Sequence, residues 1–265
     1  MSLRIQNNVE ALGAHRHLTE TSSAIAKSME RLSSGFRINR AADDAAGLAI
    51  SERMRSQVRG LAQTTRNIQD GVSLVQTAEG NLDEVHSMLQ RVRELAVQYK
   101  NGTLSASDQA AIQTEVNQLA SEIERIGTSA KFNGITLLAA SGTVTFQVGV
   151  NDAESITVST ISLGSTVGSF STLSGAAAIS AIDSAITAVS SARATFGAVQ
   201  NRLEHSLSAN AVYRENLVAA ESRVRDVDMA SEMVNLTKFQ ILQQAGTSML
   251  AQANQAPQGV LSLLR

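Results

Sequence analysis

Four histidines, a few acidic pairs, one glycine-rich run and a methionine stripe are the residues of this 265-residue chain whose types could carry chemistry. His15 and His17 stand two apart, so a helix turns them in different directions. His86 and His205 are isolated. The chain has no cysteine, and no carboxylates stand at ligand spacing, so these histidines form no zinc-type donor set. Asp43, Asp44, Asp226 and Asp228 could draw a cation, but helix-end charge and side-chain capping account for them more simply. Gly164–Gly168 lacks the lysine and helix of a phosphate loop, and no Gly-x-Ser-x-Gly nucleophile turn occurs. Met229, Met233 and Met249 read as helix packing rather than a cofactor box. The expectation is a non-enzyme with no catalytic, cofactor-binding or metal-binding residues.

The elements that would position any site are long helices. Met54, Val58, Leu61, Ile68, Val72, Val75, Leu82, Val85, Leu89, Val92 and Tyr99 hold one apolar stripe, about 68 Å long at 1.5 Å per residue. Ile179, Ile182, Ile186, Val189, Phe196, Leu203, Leu207, Leu217 and Val224 hold another. Narrow seams of that length bury against other long helices. The pattern predicts a rod built for lateral packing, with a stammer at Leu82–Val85–Leu89. Hydrophobic residues make up 43% and aromatics only 3%, which suits thin helix–helix seams better than a round core. Proline occurs once, at Pro257.

Along the chain, a first helix is expected over about 3–33, with a stripe that slips through Gly13–His17 and ends at Ser33-Ser34-Gly35. The first long helix starts near Asp44 and stops at Asn101-Gly102. Ser105 to Asp108 has a capping form, and the helix after it, carrying Ile112, Val116, Leu119, Ile123 and Ile126, closes at Gly127. Asn133-Gly134 favours a tight turn. Residues 144–148 and 155–158 alternate as short strands, and 159–175 read as an exposed loop. The third long helix starts near Ala176. A last stripe, Met229, Met233, Leu236, Phe239, Leu242 and Met249, is expected to end at Pro257 and Gly259. The fold class is mainly α: a long antiparallel helical bundle or coiled coil with a small β-hairpin region.

A net charge of −2 gives no pull toward nucleic acid or an acidic membrane. No stretch is apolar enough to span a bilayer, and Met1–Leu12 does not read as a secretory signal. On general grounds this predicts a cytoplasmic protein, or one exported by a route that reads no cleaved signal.

Both ends carry longer motifs. Near the start stand Leu32-Ser33-Ser34-Gly35, Ile38-Asn39 and Ala41-Ala42-Asp43-Asp44-Ala45-Ala46-Gly47. Near the end stand Arg225-Asp226-Val227-Asp228-Met229-Ala230 and Gln252-Ala253-Asn254-Gln255. Gln90-Arg91-Val92-Arg93-Glu94-Leu95-Ala96 adds a third set. Over about residues 1–140 and 176–265 the chain closely resembles bacterial flagellin, in a minimal form lacking large outer variable domains. The resemblance implies a structural subunit that self-assembles into the flagellar filament. Residues 1–40 and 226–265 would pair as an inner coiled coil, and 41–225 would form a helical bundle with a β region at about 130–175. Terminal assembly would rest on Leu3, Ile5, Val9, Leu12, Met233, Leu236, Met249, Leu263 and Leu264.

The same resemblance implies export through the flagellar type III system into the extracellular filament. It also implies an export chaperone on the carboxyl-terminal segment, flagellar cap and hook-associated partners, and the host Toll-like receptor for flagellin. Arg91, Leu95 and Glu115 match the receptor-contact positions, and neither nucleic acid nor membrane is expected as a partner. Rival readings are a hook–filament junction protein and an intracellular coiled-coil adaptor. The terminal stripes are weak, and ordering a backbone residue costs about 1–2 kcal/mol. The ends are therefore expected to become helical only when neighbouring copies cover them.

Overall fold

The computed structural model describes residues 8–164, 173 and 178–263, with side chains described through 255. In chain order the described elements are α1 (Val9–Ser34), α2 (Ala45–Tyr99), α3 (Ala106–Ser129), β1 (Lys131–Phe132) and β2 (Ile135–Thr136). They continue with β3 (Gly142–Gln147), β4 (Ser155–Thr160), α4 (Ala178–Arg225) and α5 (Met229–Leu263). Contacts group the chain into two compact units, Gln57–Glu215 and the combined ends Met1–Ser56 with Asn216–Arg265. The boundaries read from sequence, at 40/41 and 225/226, fall in the connectors that flank α2 and α4. The contact boundaries fall inside those helices, so each helix contributes a segment to both units.

Local chemistry sets the helix ends. Asp44 accepts from Gly47 N at 2.8 Å just before α2 begins. Ser105 and Asp108 form the expected reciprocal cap of α3. Asp228 Oδ1 accepts from Ala230 N at 3.0 Å at the start of α5, the capping role expected of that acid. Gly35 closes α1 at φ 74°, a left-handed turn that costs glycine little.

In the 57–215 unit, α2, α3 and α4 supply seams of one period. Within this unit the buried seam of α2 runs Leu61, Thr64, Ile68, Gly71, Val75, Ala78, Leu82, Val85, Leu89, Val92 and Ala96, with Leu74 and Leu95 buried beside it. The steps alternate three and four without a break, so the expected stammer is absent. Thr64, Gly71 and Ala78 fill positions that a count of large apolar residues skips. In α4 the buried set Ala178, Ile182, Ala185, Val189, Ala192, Phe196, Val199 and Leu203 keeps the same alternation. A sustained 3.5-residue repeat is the coiled-coil packing pattern. Helix α4 runs antiparallel to α2: Arg93 Nε donates to Asp183 at 2.6 Å, Arg193 pairs with Asp83 at 2.9 Å, and Asn210 Nδ2 reaches Thr64 Oγ1 at 3.3 Å. Phe196 is the largest fully buried side chain of this core.

Among the described residues the β region holds two antiparallel hairpins. In the first, Lys131 pairs with Thr136 and Phe132 with Ile135. Its turn is Asn133-Gly134, both at positive φ (47° and 82°), the twist that favours this dipeptide in two-residue hairpin loops. In the second, Val144 faces Val158 and Phe146 faces Ile156. Ile156, Val158 and Thr160 alternate inward along β4. The strands are longer than the expected 144–148 and 155–158, because Gly142, Thr143, Ser159 and Thr160 join the ladder.

Three further sequence expectations change. Helix α3 continues past Gly127 to Ser129. A side chain at Gly127 would meet Leu163 Cβ at 3.3 Å and Leu138 O at 3.5 Å, so this glycine permits close packing and does not end the helix. The 159–175 stretch is not wholly exposed: Thr160, Leu163 and Leu173 are buried, since the end of β4, Leu163 and Leu173 pack in on the core. The remainder of that stretch, 165–172 and 174–175, lies outside the described residues. Helix α5 does not end at Pro257 but runs to Leu263.

Removing the Phe196 ring leaves a cavity in the seam. Phe196→Ala should lower the unfolding free energy by about 3–5 kcal/mol, measured by urea denaturation of the monomer.

Candidate functional site

Burial of large apolar residues is least complete in the unit formed by the two chain ends. The unit formed by the two chain ends pairs α1 with α5, antiparallel. Asn8 Nδ2 reaches Ala253 O at 2.8 Å near one end, and Arg31 faces Glu232 at 3.7 Å near the other. Flanked by Gly13, Ala24, Glu30 and Arg31, the less exposed positions of α1 include the series Ala11, Ala14, Leu18, Thr21, Ile25, Ser28 and Leu32. Their spacing is regular, so the apparent slip at Gly13–His17 is no slip. Small and polar residues carry the seam there, and they let the two backbones approach closely. A Cβ at Gly246 would touch Leu18 Cδ1 at 3.5 Å.

On α5 the seam passes through Glu232, Leu236, Phe239, Gly246, Leu250 and Ala253. Among the described residues expected to drive assembly, Leu236 is the one buried within the subunit, at 7% exposure. Val9, Leu12, Met233 and Met249 are exposed at 61%, 68%, 50% and 66%. Met29, Met229, Val234, Ile241 and Leu242 are exposed with them. Sequence counting placed Met229, Met233, Leu242 and Met249 on one stripe with Leu236 and Phe239. The structure separates them, because the seam follows small residues. Leu3, Ile5 and Leu264 lie outside the described residues, as does the side chain of Leu263. A groove of about 1000 Å³ runs along the pair, lined by Gly13, Ala14, Leu18, Leu242, Gly246 and Met249 among others.

The connectors of this unit are tied together by charge and backbone. Phe36 and Asp226 form an antiparallel bridge. Arg37 N donates to Arg225 O at 2.6 Å, and Val227 N to Gly35 O at 3.0 Å. The Arg225 guanidinium lies 4.7 Å from the Phe36 ring centre and donates to Glu52 at 2.8 Å. Lys27 Nζ sits 2.6 Å from Asp43, whose carboxylate also accepts from the backbone N–H groups of Arg40 and Asn39 at 3.1 and 3.3 Å. The Lys27 hydrogen bond, then the backbone donors, lower the Asp43 pKa from 3.8 to about 2. The motif residues around Gly35, Asp43 and Arg225 thus meet in one layer. Sequence could not show that meeting, since it joins positions near opposite ends of the chain.

In the other unit, Arg91 and Glu115 come together. Arg91 Nη2 and Nε donate to Glu115 at 3.0 and 3.1 Å, and Nη1 to Glu94 at 3.2 Å. The Glu115 bond, followed by that to Glu94, raises the Arg91 pKa further above its ordinary range. Both partners are exposed. Leu95 is 2% exposed and is not brought to the surface with them. It lies beside Val92 and Ala96 on the buried side of α2, although it is one helical turn from Arg91.

Among the described residues no group of three His, Asp or Glu side chains is placed to hold a metal ion. No described helix is long and apolar enough to cross a membrane. The arrangement offers exposed apolar helix faces and ion-paired connectors.

Comparison with known proteins gives concordant matches. Residues 5–143 match the family model described as the bacterial flagellin N-terminal helical region, and 179–264 match the C-terminal helical region. The chain is 53% identical to a flagellin of Halalkalibacterium halodurans, covering 98% of this chain and 99% of that one. It is 46% identical to a flagellin of Bacillus subtilis, covering 99% and 100%. Among solved structures, the Bacillus cereus flagellin crystal structure aligns with a TM-score of 0.51 at 32% identity, covering 55% of this chain and 88% of that chain.

The Asp43 pair sets an acid dependence. Its folded pKa is depressed, so its stabilisation is present above about pH 3.8 and is lost as pH falls through about 2. Lys27→Met should return the Asp43 pKa toward 3.8 in a carboxyl NMR titration. Asp43→Asn should remove this acid-sensitive component from the unfolding profile.

Proposed function

The chain belongs to the bacterial flagellin family and is a structural subunit of the flagellar filament; from this premise we propose that the α1–α5 pair is its assembly element. Neighbouring copies bury the faces that the lone subunit leaves bare. The observation that carries the reading is unequal burial. Among the described residues of the terminal unit, Ile38 and Leu236 are the buried hydrophobics, while Val9, Leu12, Met29, Met233, Val234, Ile241, Leu242 and Met249 are exposed. Each large apolar side chain fully covered contributes about 1.5–3 kcal/mol, so these faces can drive a polymer. Contacts between unlike surfaces, repeated head to tail, give an open helical homopolymer. Residues 1–40 and 226–265 form its inner layer, and 41–225 the layer outside it.

The ends order as copies assemble. Protease should trim both ends of the free subunit and spare them in filaments; equal resistance in the two states would count against this. Val234→Lys alters an exposed position and should leave unfolding of the monomer unchanged. It should slow elongation of filament seeds at least about tenfold, because assembly would bury an unpaired charge.

Export outside the cell, capture of Met229–Leu264 by a helix-binding export chaperone, and contacts with cap and hook-associated proteins complete the proposal. The bare apolar face of α5 supports the chaperone contact. The host Toll-like receptor for flagellin engages the α2–α3 face at Arg91 and Glu115, with Leu95 supporting that face from beneath. Arg91→Ala should weaken receptor signalling in a reporter-cell assay with unchanged monomer stability. Leu95→Ala should instead destabilise the subunit by about 2–5 kcal/mol.

A further inference from the structure

Pro257 lies inside α5, which continues to Leu263. Proline has no backbone N–H, so the carbonyl four residues earlier in a helix loses its usual donor. That carbonyl belongs to Ala253, and it accepts a 2.8 Å hydrogen bond from Asn8 Nδ2. Asn8 is also the N-cap of α1, its Oδ1 accepting from Ala11 N at 3.0 Å. One side-chain amide therefore answers a defect in each helix: the unpaired N–H at the start of α1 and the unpaired carbonyl near the end of α5. Asp is as good a cap as Asn, but its carboxylate has no donor for Ala253.

The seam between these helices specifies its own alignment weakly. Toward the Asn8 end, Ala11 and Ala14 on one side and Gly246 and Ala253 on the other are small, so packing there resists a shift less than it does around Leu18, Ile25, Leu236 and Phe239. A buried polar pairing can fix register where apolar packing does not. We infer that Asn8 is a register clamp: by pairing with the carbonyl that Pro257 leaves free, it fixes how the start of α1 sits against the end of α5. It thereby aligns the exposed faces of the two helices that assembly must bury. The clamp rests on the proposed assembly role only for this consequence; the hydrogen bond itself is within one subunit.

The test uses the full chain and a cycle of Asn8→Asp, Pro257→Ala and the double variant. Asn8→Asp keeps the cap and removes the donor. Pro257→Ala returns an N–H to Ala253 O. Asn8→Asp should raise the critical concentration for elongating filament seeds about fivefold in the parent chain, and by less than about twofold with Pro257→Ala. The carbonyl carbon resonance of Ala253 in labelled filaments should move in Asn8→Asp and not in the double variant relative to Pro257→Ala. An equal penalty in both backgrounds, or an unmoved Ala253 resonance in Asn8→Asp, would overturn the clamp. Failure of the parent chain itself to elongate would strike at the assembly reading instead, whereas an unmoved Ala253 resonance in filaments that do elongate strikes at the clamp alone.

Discussion

A two-helix seam can bury only the residues that fall on it, and α1 and α5 place small and polar side chains there. Ala11, Ala14, Ser28 and Gly246 bring the backbones together, while most of the large apolar residues point elsewhere. Val9, Leu12, Ile241 and Met249 cannot reach the seam without rotating the helix and exposing Leu18, Ile25, Leu236 and Phe239. The pair is therefore apolar on its outside by geometry. For a filament subunit this incomplete burial is the driving force, since the same surface is satisfied only by more copies.

The 57–215 unit meets the opposite condition. Its helices keep a regular 3.5-residue repeat of Leu, Val, Ile and Phe, interrupted in α2 by Thr64, Gly71 and Ala78, and at Gly71 a side chain would crowd Phe146 and Leu203. Helix α3, the two hairpins, Leu163 and Leu173 complete one core. Charged pairs such as Arg93–Asp183 and Arg91–Glu115 lie at its surface, where an exposed pair contributes at most about 1 kcal/mol. They set the antiparallel alignment more than the stability. A unit closed in this way can hold its fold while the ends respond to neighbours.

The connector layer belongs to the terminal unit. Phe36 and Asp226 form a bridge, Arg225 stacks on Phe36 and pairs with Glu52, and Asp43 is held by Lys27 and two backbone N–H groups. Residues that read as capping acids and a helix-end glycine also bind two distant parts of the chain together. The assembly faces and this layer depend on the same antiparallel pairing of α1 with α5.

Much was legible from residue order alone. The helices, the Ser105–Asp108 cap, the Asn133-Gly134 turn and the inward alternation of β4 each depend on neighbours within a few positions, so local spacing determines them. Membership of the family was legible too, because its motifs are contiguous strings. Counting large apolar residues misjudged the seams, which include Ala, Gly, Ser and Thr; this created a stammer in α2 and a slip in α1 that do not exist. Gly127 and Pro257 were read as stops because a glycine's close neighbour, Leu163, and the partner of a freed carbonyl, Asn8, are far away in sequence. Which side of Arg91's turn is buried, and which apolar residues of α1 and α5 stay bare, was decided only by tertiary packing. A side chain's exposure is set by the surface that comes to lie against it, and residue order does not say which surface that is.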